Sequence, residues 1–176
     1  FLPTGIKPTT EYIELIRYSS EPNRKPVVRA DGLREWAHPN IGTDGVAIVD
    51  TPGTGSIFQK HGKTAKDFLH RSDLVIFVIS AKRAFGESER LYLELAKDYG
   101  KKIILVLNQM DLLTPAEQAE VKKFVEDRVQ EFLNIQPLLF ATSSKAYFEN
   151  TEADSMTDSS GILAVRAHLR GVYQEA

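Results

Sequence analysis

The chain has 176 residues, 42% hydrophobic and 26% charged, which suits one globular domain with a proper core. A net charge of −2 gives no global reason to expect nucleic-acid binding, and the lack of cysteine excludes a disulfide framework and a thiolate metal site. No apolar run approaches the roughly 20 residues that a membrane-spanning helix needs.

Phe1-Leu2-Pro3-Thr4-Gly5 reads as the middle of a longer chain. Tyr12 to Tyr18 alternates, with Tyr12, Glu14, Ile16 and Tyr18 on one face and Ile13, Leu15 and Arg17 on the other, which predicts an edge or near-edge strand. Ser19 to Asp44 is polar and Pro-containing, with a small apolar patch at Val27, Val28, Leu33 and Trp36. Gly45 to Val49, Asp73 to Ser80 and Lys102 to Leu107 are short Val/Ile-rich runs without alternation, the pattern of strands buried on both faces of a parallel sheet. Pro137 to Ala141 is a weaker fourth run.

Helical spacing fills the intervals. A short helix is expected over Lys63 to His70. Ser88 to Tyr99 places Leu91, Leu95 and Tyr99 on one face and ends at Gly100. Thr114-Pro115-Ala116-Glu117 is a capping box with proline at the first helical position, followed by Val121, Phe124, Val125, Val129, Phe132 and Leu133. Phe148 to Ser160 is acidic and Ser/Thr-rich, the composition of a mobile loop. Ser160 to Glu175 carries Ile162, Val165, Leu169, Val172 and Tyr173. Strands alternating with helices from Val46 onward predict an α/β sheet with helices on both faces.

Ligands of such sheets bind at the carboxyl ends of the strands. Asp50-Thr51-Pro52-Gly53 follows the first run: an acid there suits water-mediated Mg²⁺ binding, and the glycine lets a backbone N–H approach a phosphate. The plain alternative is a Pro-Gly turn. Asn108-Gln109-Met110-Asp111 follows the third run. The Asp carboxylate matches the paired N–H donors of guanine, which adenine lacks; the alternative is a helix-capping Asp. Ser143-Ser144-Lys145-Ala146 follows the fourth run and suits a backbone N–H aimed at the guanine carbonyl, or a simple Ser-rich turn. Pro8-Thr9-Thr10 precedes the alternating strand: a threonine hydroxyl can ligate Mg²⁺ there, or the pair reflects β propensity.

In this order and spacing the motifs resemble the dynamin-like GTPases, closest to the bacterial and organellar membrane-remodelling members. Phe1 to Gly5 through Pro8-Thr9-Thr10 looks like their first switch and Asp50 to Gly53 like their second. The longest match is Ser72 to Leu113. The resemblance implies a P-loop GTPase-type α/β fold with a mostly parallel sheet and helices on both faces, its first central strand and phosphate-binding loop absent from this chain. It implies a partial GTP-binding domain over residues 1–176, an insertion at 19–44 and a mobile acidic loop at 148–160. Thr10, with Thr9 as fallback, would be the switch threonine and Mg²⁺ ligand. Asp50 would be the Mg²⁺ acid and Gly53 the γ-phosphate sensor. Asn108 and Asp111 would recognise guanine, with Gln109, Ser143, Ser144 and Lys145 around the base. The implied ligands are GTP or GDP, Mg²⁺ and a monovalent cation. The implied partners are a second GTP-binding domain and, through regions outside this chain, a membrane; nucleic acid is not among them. A peripheral membrane location facing the cytoplasm or inside an organelle follows.

Two departures stand out. Gln109 occupies the position where most relatives carry a Lys whose stem packs on the base, so weaker binding is expected with unchanged specificity. Thr54 follows Gly53 where small signalling GTPases place a water-orienting Gln, a lack that dynamin relatives share. The rival readings are a GTPase of ribosome assembly or RNA modification, whose usual basic domain is not seen here, and a non-catalytic GTPase-like interaction module.

Overall fold

The computed structural model describes residues 13–30, 33–39, 47–50, 69–83, 85–149 and 159–174. The chain divides into two compact units, Phe1–Phe68 and Leu69–Ala176.

The first unit holds strands β1 (Glu14–Tyr18), β2 (Val27–Val28), β3 (Arg34–His38) and β4 (Ala47–Asp50) in the order β2-β3-β1-β4. β1 runs parallel to β3 and antiparallel to β4, and β2 is antiparallel to β3. The alternation over Tyr12 to Tyr18 predicts an edge or near-edge strand, and β1 lies next to the edge strand β4, with Glu14, Leu15 and Ile16 all buried. A glutamate tolerates that position because it is paired. Trp36 Nε1 donates to Glu14 Oε2 at 2.6 Å, and Arg34 Nε lies 3.3 Å from Oε1. β4 is also not the doubly buried parallel strand its composition suggests. It pairs antiparallel with β1, and Ala47 and Ile48 are exposed. Within 19–44, Leu33 and Trp36 are buried while Val27 and Val28 are exposed.

The second unit is built on β5 (Leu74–Ser80), β6 (Lys102–Asn108) and β7 (Leu138–Ala141), all parallel in that order. Helices α1 (Glu87–Asp98), α2 (Pro115–Leu133), α3 (Ser144–Glu149) and α4 (Ile162–Gln174) complete it. β6 is the centre, and Ile104 to Leu107 are buried on both faces, as an unbroken apolar run requires. One face packs Phe77, Ile79, Leu105 and Leu107 against Leu93 of α1 and Val125, Val129 and Leu133 of α2. On the other, Phe140 of β7 meets His168 of α4, with ring centroids 5.7 Å apart. The parallel strands with helices on both faces confirm the expected fold class. β5 is buried on one face only, since Ile76 and Val78 are exposed.

The helix stripes need correction. In α1 the buried residues are Leu93 and Ala96; Leu91 and Tyr99, expected inward, are exposed. In α2, Val125, Val129 and Leu133 point inward, but Phe124 and Phe132 stand on the flank, where the Arg128 guanidinium lies 5.3 and 5.8 Å from their ring centroids. An apolar ring half-covered by a cation need not face the core. The helix ends follow expectation. Thr114 N–H donates to Glu117 Oε2 at 2.7 Å and Glu117 N–H returns to Thr114 Oγ1 at 3.4 Å. Gly100, at φ 64°, closes α1: its N–H reaches the Lys97 carbonyl at 2.7 Å and Lys101 N–H reaches Ala96 at 3.0 Å.

Candidate functional site

The register of the parallel sheet aligns Ser80 with Asn108 and Leu107 with Ala141. The carboxyl ends of β5, β6 and β7 therefore lie side by side, and the segments after β6 and β7 meet there. Thr142 N–H continues the ladder to the Leu107 carbonyl at 2.7 Å, and Met110 N–H returns to the Thr142 carbonyl at 3.1 Å.

Asn108 ties the two segments together. Its Oδ1 accepts Ser144 N–H at 3.0 Å and the hydroxyls of Ser144 and Thr142, each at 3.2 Å. Asp111 makes the second tie: Ser143 Oγ donates to Asp111 Oδ1 at 2.6 Å and accepts Ala146 N–H at 3.0 Å. This bond holds an exposed carboxylate in one orientation and uses one of its roughly four acceptor sites. The rest stay available for a donor pair such as the ring and exocyclic N–H groups of guanine. Thus Asn108, Asp111, Ser143 and Ser144, chosen from two separate motifs, are brought into one hydrogen-bonded cluster. A cavity of 340 Å³ opens beside it, lined in part by Asp111, Ser143, Ser160 and Gly161.

Gln109 sits between them in the left-handed region, at φ 69° and ψ 31°, and accepts Ser80 Oγ–H at 2.5 Å. Lys145 is exposed, and its 3.9 Å pair with Glu149 is too solvated to fix it. Ser144 opens the short helix α3, so the segment after β7 continues as a helix and not as a simple Ser-rich turn, and Phe148 and Glu149, expected in the acidic loop, belong to that helix.

Four contributors were not singled out from sequence: Ser80, Thr142, Ser160 and Gly161. Ser143 N–H donates to the Ser160 carbonyl at 2.8 Å, so the start of α4 braces the base-side loop. Gly161 makes this approach possible. At φ 70°, a Cβ on it would stand 2.1 Å from the Ala141 carbonyl oxygen. The signal was the Ser159-Ser160-Gly161 run ahead of a periodic helix, legible only as a turn.

In the other unit, Asp50 ends β4 directly opposite Glu14 of β1, which in turn faces Arg34 of β3. Burial, and then the neighbouring Glu14 carboxylate, push the Asp50 carboxyl above its ordinary 3.8. A half-buried acid beside a second carboxylate is a place where a divalent cation relieves repulsion, so Asp50 fits the Mg²⁺ role. Both Glu14 oxygens are taken by Trp36 and Arg34. Thr9, Thr10, Gly53 and Thr54 lie outside the described residues, as do most of Lys63 to His70 and residues 150–158 of the acidic loop.

Residues 35–167 match the family described as the elongation factor Tu GTP binding domain, and the chain belongs to that family. Among curated relatives, the "Probable transmembrane GTPase FZO-like, chloroplastic" of Arabidopsis thaliana is 32% identical over 154 residues, covering 85% of this chain and 17% of that protein. An "Uncharacterized protein in xynA 3'region" of Caldicellulosiruptor is 29% identical over 170 residues, covering 78% of this chain and 42% of that protein. The chain thus spans less than half the length of either relative. Among solved structures, a chain of an oligomerised bacterial dynamin pair superposes with a TM-score of 0.75 at 15% identity, covering 96% of this chain and 34% of that one. The translation elongation factor SelB of Methanococcus maripaludis, in its apo form, superposes at 0.54 and 12% identity, covering 84% and 27%. The resemblance to dynamin-like GTPases read from the motifs is borne out.

Proposed function

We propose that this chain is the guanine-selecting and switch-bearing part of a GTPase that hydrolyses GTP and couples the cycle to self-assembly on a membrane. The observation that carries the proposal is the cluster joining Asn108, Asp111, Ser143 and Ser144 at the carboxyl end of a parallel sheet. It holds one carboxylate in place for a paired donor.

Hydrolysis of this kind is in-line attack of water on the γ-phosphate, catalysed by positioning and electrostatic stabilisation. Thr10 orients that water through its backbone carbonyl, and Gly53 offers its N–H to the γ-phosphate. Asp50, with Thr10, would hold Mg²⁺, which would supply neutralisation of phosphate charge there. The phosphate-binding loop, a monovalent cation and a second GTP-binding domain supply the remaining charge and order. Membrane contact belongs to regions outside this chain. In support, one relative is named a transmembrane GTPase and one structural neighbour is a dynamin pair described as sensing and tethering membranes. Among the described residues no helix is long and apolar enough to cross a membrane.

The test is phosphate release by the full-length protein. GTP is expected to be turned over at least tenfold faster than ATP, with Asp50→Ala lowering kcat by about two orders of magnitude. Equal turnover of both nucleotides, or an unchanged Asp50→Ala enzyme, contradicts the proposal. Sedimentation with anionic vesicles in GTP but not GDP tests the membrane coupling.

A further inference from the structure

We infer that Ser80 is a positioning residue for the base site, acting by holding the Gln109 side chain as the platform on which the guanine ring packs. The inference rests on the guanine reading of Asp111 and goes beyond it.

Two independent observations meet at Gln109. The first is backbone conformation. Gln109 is one of two non-glycine residues with positive φ among the described residues, and it separates the two base-reading side chains, Asn108 and Asp111. A left-handed non-glycine residue is strained and persists only where its surroundings over-determine it. Here they do. Met110 N–H is held by the Thr142 carbonyl at 3.1 Å, Leu112 N–H returns to the Gln109 carbonyl at 3.2 Å, and Met110 is buried. Asparagine closes α2 in the same conformation at Asn134, where it ends a helix; Gln109 ends a strand at the site.

The second observation is the side chain. Ser80 is the last residue of β5 and lies in register with Asn108, so its hydroxyl reaches the adjacent segment and donates to Gln109 Oε1 at 2.5 Å. An exposed glutamine ordinarily samples many rotamers, and fixing one costs entropy. The Ser80 bond offsets that cost before nucleotide arrives, so the amide and its stem are preorganised. A lysine here would carry a charged head with three donors and no acceptor, and could not accept from Ser80. Serine and glutamine together form a neutral platform, with the Gln109 Nε2 hydrogens left to donate to a further acceptor.

The consequence is kinetic. A platform held by one neutral hydrogen bond strengthens base packing modestly, and loss of the bond shows mainly as faster nucleotide release. Discrimination between guanine and other bases stays with Asp111.

The test is a double-mutant cycle on the full-length protein, read as the release rate of a fluorescent GDP analogue, with melting temperature followed in parallel. Ser80→Ala is expected to speed release about three- to tenfold, and Ser80→Thr, which keeps the hydroxyl, to restore it. Gln109→Ala is expected to speed release at least as much. Adding Ser80→Ala to Gln109→Ala should then change nothing further, because the partner is gone. If Ser80→Ala has its full effect in the Gln109→Ala background, or if Ser80→Thr fails to restore slow release, Ser80 does not act through Gln109 and the inference is overturned. The preference for GTP over xanthosine triphosphate in Asp111→Asn separates the two levels. If that preference shifts while the Ser80 cycle shows no coupling, only the positioning role fails. If it does not shift, the guanine reading itself fails.

Discussion

The two units of this chain solve burial differently. The second is an apolar construction. Leu93, Leu105, Leu107, Val125, Val129 and Leu133 are almost fully buried around a central parallel strand, and the buried polar residues Thr142, Ser143 and Ser160 gather at one end of that sheet. The first keeps a carboxylate in its interior: Glu14 lies among Ile13, Leu15, Ile16 and Trp36, satisfied by an indole N–H and a guanidinium. The cluster proposed to read the base thus stands on a scaffold complete within its own unit. The candidate metal acid, Asp50, stands at the end of a charged row, Arg34–Glu14–Asp50, that runs across three strands. Damage to the first should be local and steric, and damage to the second electrostatic and dependent on pH.

Gly161→Ala should have the largest effect. The new Cβ meets the Ala141 carbonyl, and the backbone at φ 70° suits no alanine, so a loss of about 3 kcal/mol is expected. Hydrogen exchange should show lost protection in Thr142 to Ala146 with β1–β4 unchanged. Equal loss in both units would break the comparison. Trp36→Phe comes next. It removes the indole donor from a buried carboxylate and should cost about 2 kcal/mol, with faster exchange in β1 and β3 and none in β5–β7.

Asp50→Asn should have the smallest effect on stability, and of opposite sign. The Asp50 carboxyl is raised in the folded state, so folding binds a proton more tightly and the ionised form is the strained one. Stability from this group is therefore present at low pH and lost as pH rises through the folded value. Asn removes that loss, so the variant should melt higher than wild type at neutral pH, the gap closing below the ordinary pKa of 3.8. A melting curve at each pH checks this; a variant that melts lower at neutral pH would show that neither burial nor the Glu14 carboxylate strains the ionised Asp50.

How much of this was legible in the sequence differs between the units for the same reason. In the second, Val/Ile-rich runs and the capping box at Thr114 are local signals, and β5, β6, β7 and α2 followed from them. The inward stripe of α1 did not. Leu91, Leu95 and Tyr99 are as periodic as Leu93 and Ala96, and only the packing of β5 and β6 decides which face turns in. In the first, Arg34-Glu35-Trp36-Ala37-His38 carries no period-2 apolar pattern, since its strand is specified by pairing with β1 and by the Glu14 network. In the site, Asn108, Asp111, Ser143 and Ser144 were visible because their chemistry is tied to strand ends. Ser80 and Gly161 act through register and close approach, which one-dimensional spacing does not display.

The most direct test of the central claim is the nucleotide preference of the full-length protein carrying Asp111→Asn. Replacing one carboxylate oxygen by an amide turns an acceptor into a donor. GTP binding should weaken by about a hundredfold or more, and xanthosine triphosphate, which has a carbonyl in place of the exocyclic amine, should bind better than GTP. If the variant keeps the wild-type preference for GTP, Asp111 does not read the base and the account of this site is wrong.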